Sequence, residues 1–124
     1  MPRSVHHVNL SVPEDGATAM GEWLVNMLGY TEVSGGPEIT ELVERIGRRL
    51  WWFEADDGSQ VHLSPNPEHI VVAQAHTAIR LDDLDATLDR LGGAGFEHNT
   101  MAFDGERHAF VTDPAGNLWE LVGV

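Results

Sequence analysis

Two stretches of this chain overlay residue for residue, and no other feature constrains the fold as much. Phe53 to Leu63 reads FEADDGSQVHL, and Val111 to Leu121 reads VTDPAGNLWEL. The overlay needs no gap and sets Gly58 over Gly116, His62 over Glu120 and Leu63 over Leu121. Each stretch ends a strand, turns at a glycine able to take positive φ, and returns as a strand. In the second copy Pro114 suits the second position of a type I turn and Gly116 the position that follows it.

The match extends upstream. VHHVNLSV at 5–12 lies over QAHTAIRL at 74–81, with His7 over His76. The LGY of 28–30 lies over the AGF of 94–96, with Tyr30 over Phe96. A repeat of this size means one supersecondary unit used twice, and each copy reads as strand, helix, then three strands.

In chain order, Val5 to Val12 alternates as a strand, with Val8, Leu10 and Val12 on one face and His7, Asn9 and Ser11 on the other. Pro13, Glu14 and Asp15 open a helix that carries Ala17, Met20, Leu24, Met27 and Leu28 and stops at Gly29. Tyr30 to Ser34 is a short strand, and Ile39, Leu42, Val43 and Ile46 have the spacing of a short helix. Leu50 to Phe53 and Gln60 to Ser64 form a hairpin about Asp56, Asp57 and Gly58, after which Pro65, Asn66 and Pro67 break the pattern.

His76 to Leu81 repeats the opening strand, with His76, Ala78 and Arg80 on one face. Asp82 or Asp83 caps a helix bearing Leu84, Leu88 and Leu91, closed by Gly92 and Gly93. Phe96 to Thr100, Arg107 to Thr112 and Leu118 to Val122 are the last strands. The expected fold is α+β: two βαβββ modules related by a pseudo-twofold, with curved mixed sheets enclosing a cavity and helices outside. It forms a single domain over 1–124, with module one at about 1–65, a linker at about 66–74 and module two at about 75–124.

What the chain lacks narrows its chemistry. It has no cysteine, which removes disulfides, thiolate metal sites and cysteine nucleophiles. All seven basic residues are arginines, which removes lysine Schiff bases and a Walker-type phosphate loop. Against them stand 20 acidic residues, and a formal net charge of −13 repels nucleic acid and anionic membrane. No apolar run approaches the roughly 20 residues of a membrane span, and no signal-peptide pattern opens the chain, so the expected location is the cytoplasm.

Glu120 then stands out. It shares a strand face with Leu118 and Val122, and a carboxylate among apolar neighbours asks for a partner or a metal. If the modules pair about their pseudo-twofold, His7, His62, His76 and Glu120 converge in one cavity. Three imidazoles and a carboxylate suit a divalent transition metal, with positions left open for a bidentate ligand. On the opposite strand faces, Val8, Leu10, Val61, Leu63, Thr77, Ile79, Trp119 and Leu121 pack beneath the helices.

HVNLSV near the start, HTAIRLDDLDATLDRL in the middle and FVTDPAGNLWEL at the end resemble the vicinal oxygen chelate superfamily. That superfamily includes glyoxalase I, methylmalonyl-CoA epimerase, extradiol dioxygenases, fosfomycin resistance enzymes and bleomycin-binding proteins. The resemblance covers nearly the whole chain and implies that His7, His62, His76 and Glu120 are metal positions, for nickel, zinc, cobalt, manganese or iron. His62 departs from the carboxylate or amide that glyoxalases and the epimerase have there, so it is open as fourth ligand, outer group or proton acceptor. The resemblance also implies a homodimer in which a site takes His7 and His62 from one chain and His76 and Glu120 from the other.

The reaction so implied is that of a glyoxalase-like lyase or isomerase on a small carbonyl substrate, through a metal-stabilised enolate, with Glu120 or His62 as the base. One alternative is an extradiol-type dioxygenase using His7, His76 and Glu120 as an Fe(II) facial triad. Another is a metal-free, bleomycin-type antibiotic-binding resistance protein, whose acidic surface and paired tryptophans suit a cationic aromatic ligand. Arg80 is placed to hold a substrate anion or to pair at a surface or interface. Of Trp51 and Trp52, one packs in the core and the other, taken as Trp52, walls a ligand pocket, while Asn9 offers a polar contact. His6 points away from His7, and His69, His98 and His108 fall in or beside loops without an assigned role, apart from the option that His108 reaches the cavity.

Overall fold

The computed structural model describes residues 1–123. It divides into two compact units, with the break between His69 and Ile70. The first unit runs β1 (His7–Pro13), α1 (Ala17–Trp23) continuing into a π-helical turn at Leu24–Leu28, β2 (Thr31–Val33), α2 (Pro37–Ile46), β3 (Trp51–Glu54) and β4 (Gln60–Asn66). The second runs β5 (His76–Arg80), α3 (Leu84–Gly93), β6 (His98–Phe103), β7 (Glu106–Thr112) and β8 (Leu118–Gly123). The sheet orders are β1-β4-β3-β2 and β5-β8-β7-β6. In each, the first strand lies parallel to the last and the remaining pairs are antiparallel. Two mixed four-stranded sheets of the same order are the α+β modules that the repeat requires, and α2 is the extra element of the first.

The overlay holds down to single hydrogen bonds. In the first hairpin the Ala55 amide donates to the Ser59 carbonyl at 2.9 Å and the Gly58 amide to the Ala55 carbonyl at 3.0 Å. In the second the Asp113 amide donates to the Asn117 carbonyl at 2.9 Å and the Gly116 amide to the Asp113 carbonyl at 3.0 Å. Gly58 and Gly116 sit at φ +87° and +88°, a conformation that costs a side chain dearly and glycine nothing. Phe53 pairs with Val61 and Val111 with Trp119, so both returning strands enter in one register. A slip of one residue would turn His62 and Glu120 to the opposite face.

Helix and sheet meet closely in each unit. Met20, Trp23 and Leu24 are buried with Val12, Phe53 and Val61, and α1 contacts β1, β3 and β4. A Cβ on Gly21 would stand 2.8 Å from the Phe53 ring tip and push the ring aside. In the second unit Leu84, Leu88 and Leu91 are buried with Val111, Trp119 and Leu121, and α3 contacts β8. Each such side chain contributes about 1.5–3 kcal/mol on leaving water. Asp83 is the cap: its carboxylate accepts from the Ala86 amide at 3.0 Å.

Strand ends depart from the expected ones for local reasons. β6 begins at His98, not Phe96, because the Phe96 amide is still bonded to the Leu91 carbonyl at 2.9 Å as α3 unwinds through Gly95 at φ +88°. β1 begins at His7, although the His6 carbonyl still accepts from the Gln60 amide at 3.0 Å. No helix among the described residues is long and apolar enough to cross a membrane.

Candidate functional site

The parallel pairings set the donors. His7 lies opposite Gln60 and Asn9 opposite His62, so His7 and His62 are diagonal neighbours on one face. His76 lies opposite Leu118 and Ala78 opposite Glu120, which makes His76 and Glu120 the same diagonal pair on the second sheet. Four of the residues singled out in the sequence therefore come together as two pairs, each within its own module.

In the first pair the rings stack. His7 and His62 have centroids 4.1 Å apart with planes 16° off parallel. Trp52, cross-strand partner of His62, stacks on its other face at 4.4 Å and 9°. The Gln60 amide nitrogen donates to Glu54 Oε1 at 3.0 Å, which turns the amide oxygen towards His62 Nε2 at 2.8 Å. His62 Nε2 thus carries a proton, and Nδ1 keeps the lone pair. Burial first, then the neighbouring His7 and His6, push the His62 pKa down to about 4. At neutral pH the ring is uncharged, the form that ligates metals.

In the second pair an imidazole faces a carboxylate. His76 Nδ1 donates to the Gln74 carbonyl at 2.8 Å, leaving Nε2 to face Glu120 Oε1 at 3.5 Å. Gln74 sits at φ +68°, unusual for a residue with a side chain and a mark of constraint beside a site. The other Glu120 oxygen, Oε2, accepts from His108 Nδ1 at 3.0 Å. His108 Nε2 stands 3.9 Å from Glu106 Oε2, and Glu106 is ion-paired with Arg80.

Other expected residues fall as follows. Arg80 is held by Glu106 and is not a free anion holder. Neither tryptophan packs in the core: alternation gives Trp51 and Phe53 one face, and Phe53 is the one buried, beneath Gly21, while the Arg49 guanidinium covers Trp51 at 3.5 Å. Trp52 is half-buried against His62. Asn9 is exposed, its oxygen accepting from Ser64 Oγ at 2.8 Å. His6 lies before the ladder and escapes its alternation, so its Nδ1 comes to 2.9 Å from that of His7. His69 meets Ser11 Oγ at 2.8 Å.

Sequence reasoning misses Glu106 and leaves His108 only the option of reaching the cavity. The signal was present: the turn at Gly116 sets Phe110 opposite Glu120, so His108, two residues earlier, shares the face of that carboxylate.

The family model of the Glyoxalase/Bleomycin resistance protein/Dioxygenase superfamily matches residues 4–121. The chain belongs to that superfamily. Among solved structures it is similar to a glyoxalase/dioxygenase from Nostoc punctiforme, at 24% identity and a TM-score of 0.77 over 98% of this chain and 90% of that one. It is also similar to a lactoylglutathione lyase from Agrobacterium tumefaciens, at 20% identity and a TM-score of 0.68 over 98% and 94%. An antibiotic-binding protein from a Streptomyces species is alike at 19% identity and a TM-score of 0.69 over 98% and 96%. At these identities the likeness carries the fold. No curated protein matches the sequence.

Superfamily members commonly bind divalent metals, and the donor chemistry here fits one. His76, its Nδ1–H committed to a backbone carbonyl, turns Nε2 towards a carboxylate oxygen. A ring nitrogen and a carboxylate oxygen 3.5 Å apart are placed to share a proton or a cation. His62 is neutral, with its tautomer set by Gln60. Among the described residues no three His, Asp or Glu side chains form a metal-holding group, so the donors come as two pairs.

Proposed function

We propose that the protein is a metal-dependent lyase or isomerase of the glyoxalase type, acting on a small carbonyl substrate. The observation that carries this reading is His76 Nε2 facing Glu120 Oε1 at 3.5 Å, at the register position that holds His7 and His62 in the other module. The metal ligands would be His7, His62, His76 and Glu120, and the ion would supply Lewis-acid stabilisation of negative charge developing on the substrate. Whichever of Glu120 and His62 is held loosely by the ion would take a proton from the carbon beside the carbonyl and return it to the neighbouring carbon, Glu120 doing so through Oε1. Oε2 is held by His108 and keeps the carboxylate aimed during that exchange. His62, bonded to Gln60, is the alternative proton acceptor through Nδ1.

Elemental analysis of tag-free protein, before and after chelator, tests the reading. A near-stoichiometric divalent metal that is lost in His76→Ala and Glu120→Ala supports it, and no metal with no uptake sinks it. Iron with catechol-dependent oxygen uptake would move the reaction to the dioxygenase class. Solvent deuterium should enter at the α-carbon of a turned-over substrate.

The working unit in this reading is a homodimer, with His7 and His62 from one chain joined by His76 and Glu120 from the other. Mixing inactive His7→Ala and Glu120→Ala chains should then restore one intact site per mixed dimer. Failure to regain activity in mixed dimers shown to form would count against shared sites.

A second reading has its own observation. The Trp52–His62–His7 stack is a flat aromatic wall in a protein of net charge −13, suited to a planar cationic ligand, and one similar structure is an antibiotic-binding protein. Binding of bleomycin that survives chelator and is lost in Trp52→Ala would favour it.

A further inference from the structure

We infer that His108 is a positioning residue that fixes the Glu120 carboxylate through Oε2, so that Glu120 meets a metal or a proton through Oε1 alone. The inference rests on the proposed function for its metal and on the hydrogen-bond geometry for everything else.

A glutamate on a strand has three side-chain torsions and is not aimed by its backbone. Here both oxygens are accounted for by different partners. Oε2 accepts from His108 Nδ1 at 3.0 Å, and Oε1 faces His76 Nε2 at 3.5 Å. A carboxylate with one oxygen so engaged approaches an ion through the other, in one orientation. His108 is itself held on every side. Its side chain is only 9% exposed, and Phe103 stacks on its ring at 3.8 Å and 14°. Its Nε2 is buried without a hydrogen-bond partner, 3.9 Å from Glu106 Oε2. Glu106 in turn is pinned by Arg80.

A buried nitrogen without a hydrogen bond is a cost that an ordinary core position would remove by substitution. The cost is explained if the ring must present Nδ1–H to Glu120. The first module has no counterpart, since Leu50 stands at the position that overlays His108. Arg80, expected to hold substrate, becomes the far anchor of this chain of contacts.

The test uses the full-length protein and two readouts. Imidazole 15N shifts of the metal-free wild type should show His108 protonated at Nδ1; a bare Nδ1 overturns the inference. Cobalt(II) is then titrated into wild type, His108→Phe and His108→Asn, with thermal midpoints measured alongside. His108→Phe keeps a ring against Phe103 and should weaken cobalt binding by about tenfold or more, while His108→Asn, which restores an N–H donor, should recover most of the loss. Equal cobalt affinity in wild type and His108→Phe overturns the inference and leaves the metal reading standing. A wild type that takes no cobalt but shows Nδ1 protonated overturns the metal reading and leaves the aimed carboxylate in place.

Discussion

The two modules share a sheet order, a hairpin register and a pair of glycine turns, yet they hold their hairpins and their donors by different chemistry. In the first, the turn carboxylate is the exposed Asp57, which accepts from the Ser59 amide and hydroxyl at 2.9 and 2.6 Å. In the second it is the buried Asp113, which accepts from the Ala115 and Asn117 amides at 2.8 and 3.0 Å and from the Trp119 indole at 2.8 Å. Burial pushes the Asp113 carboxyl up in pKa, although the Trp119, Asn117 and Ala115 donors pull it down. The donor pairs differ in the same sense. His7 and His62 are stacked rings, one of them held neutral; His76 and Glu120 are an imidazole and a carboxylate. One backbone plan thus accommodates a side of soft nitrogen donors and a side that carries charge.

The largest contrast should come from the turns. Asp113→Ala strands three donors, one of them an indole on a residue with 0% exposure, and should cost roughly 3 kcal/mol, read from the denaturation midpoint. Asp57→Ala in the matched turn should move that midpoint far less. Equal shifts would mean that the Trp119 bond does not hold the second hairpin.

Next come the donors. Glu120→Ala removes the charged member of the set and should reduce divalent-metal affinity by about a hundredfold, whereas His62→Ala should reduce it by about tenfold. Competition against a chromophoric chelator measures both. If His62→Ala costs as much as Glu120→Ala, the modules contribute equally and the contrast in charge is not decisive.

A third contrast lies in how each helix reaches its sheet. In the first module the glycine is on the helix: a Cβ at Gly21 would stand 2.8 Å from the Phe53 ring tip. In the second it is on the strand: a Cβ at Gly123 would stand 2.6 Å from the Cβ of Leu84, an atom fixed to the backbone. Gly123→Ala should cost about 2–3 kcal/mol and Gly21→Ala about 1–2 kcal/mol, because a ring tip yields more readily than a Cβ. Reversal of that order would show the buried Phe53 to be the stiffer neighbour.

Much of this was legible from one overlay. Turn residues and strand alternation are backbone properties, so the gap-free match of 53–63 on 111–121 carried the hairpin register and the matched positions of His62 and Glu120, while the order of strands in each sheet came only with the parallel pairings of β1 with β4 and β5 with β8. What escaped depends on side-chain torsions and on partners chosen among several. Alternation put Arg80 on the face of His76, but not whether it would hold a ligand or Glu106. It put Trp51 and Phe53 on one face, but not which would fill the space beneath Gly21. His108 lies within the strand expected from Arg107, but only its nearness to the loop was weighed; the hairpin register, with Phe110 opposite Glu120, sets it on the face of that carboxylate.

The smallest effect at neutral pH comes from the residue at which the helix-end overlay pairs Tyr30 with Phe96. Burial, and to a lesser degree the Asp57 carboxylate, raise the Tyr30 pKa to about 12. A tyrosine in an unfolded chain ionises near pH 10, so the fold favours the neutral phenol. Its contribution is complete below about pH 10 and is lost as pH rises through about 12, by which point roughly 2 kcal/mol has gone. This chain isolates the effect well: it has one tyrosine, no cysteine and no lysine, since all seven basic residues are arginines. Between pH 10 and 12 almost nothing else titrates. Tyr30→Phe, which makes the first module like the second, should therefore leave stability nearly unchanged at pH 7 and flatten its alkaline decline. An undiminished decline in Tyr30→Phe would assign the alkaline loss to repulsion across a chain of net charge −13, and would remove the buried phenol from the differences between the modules.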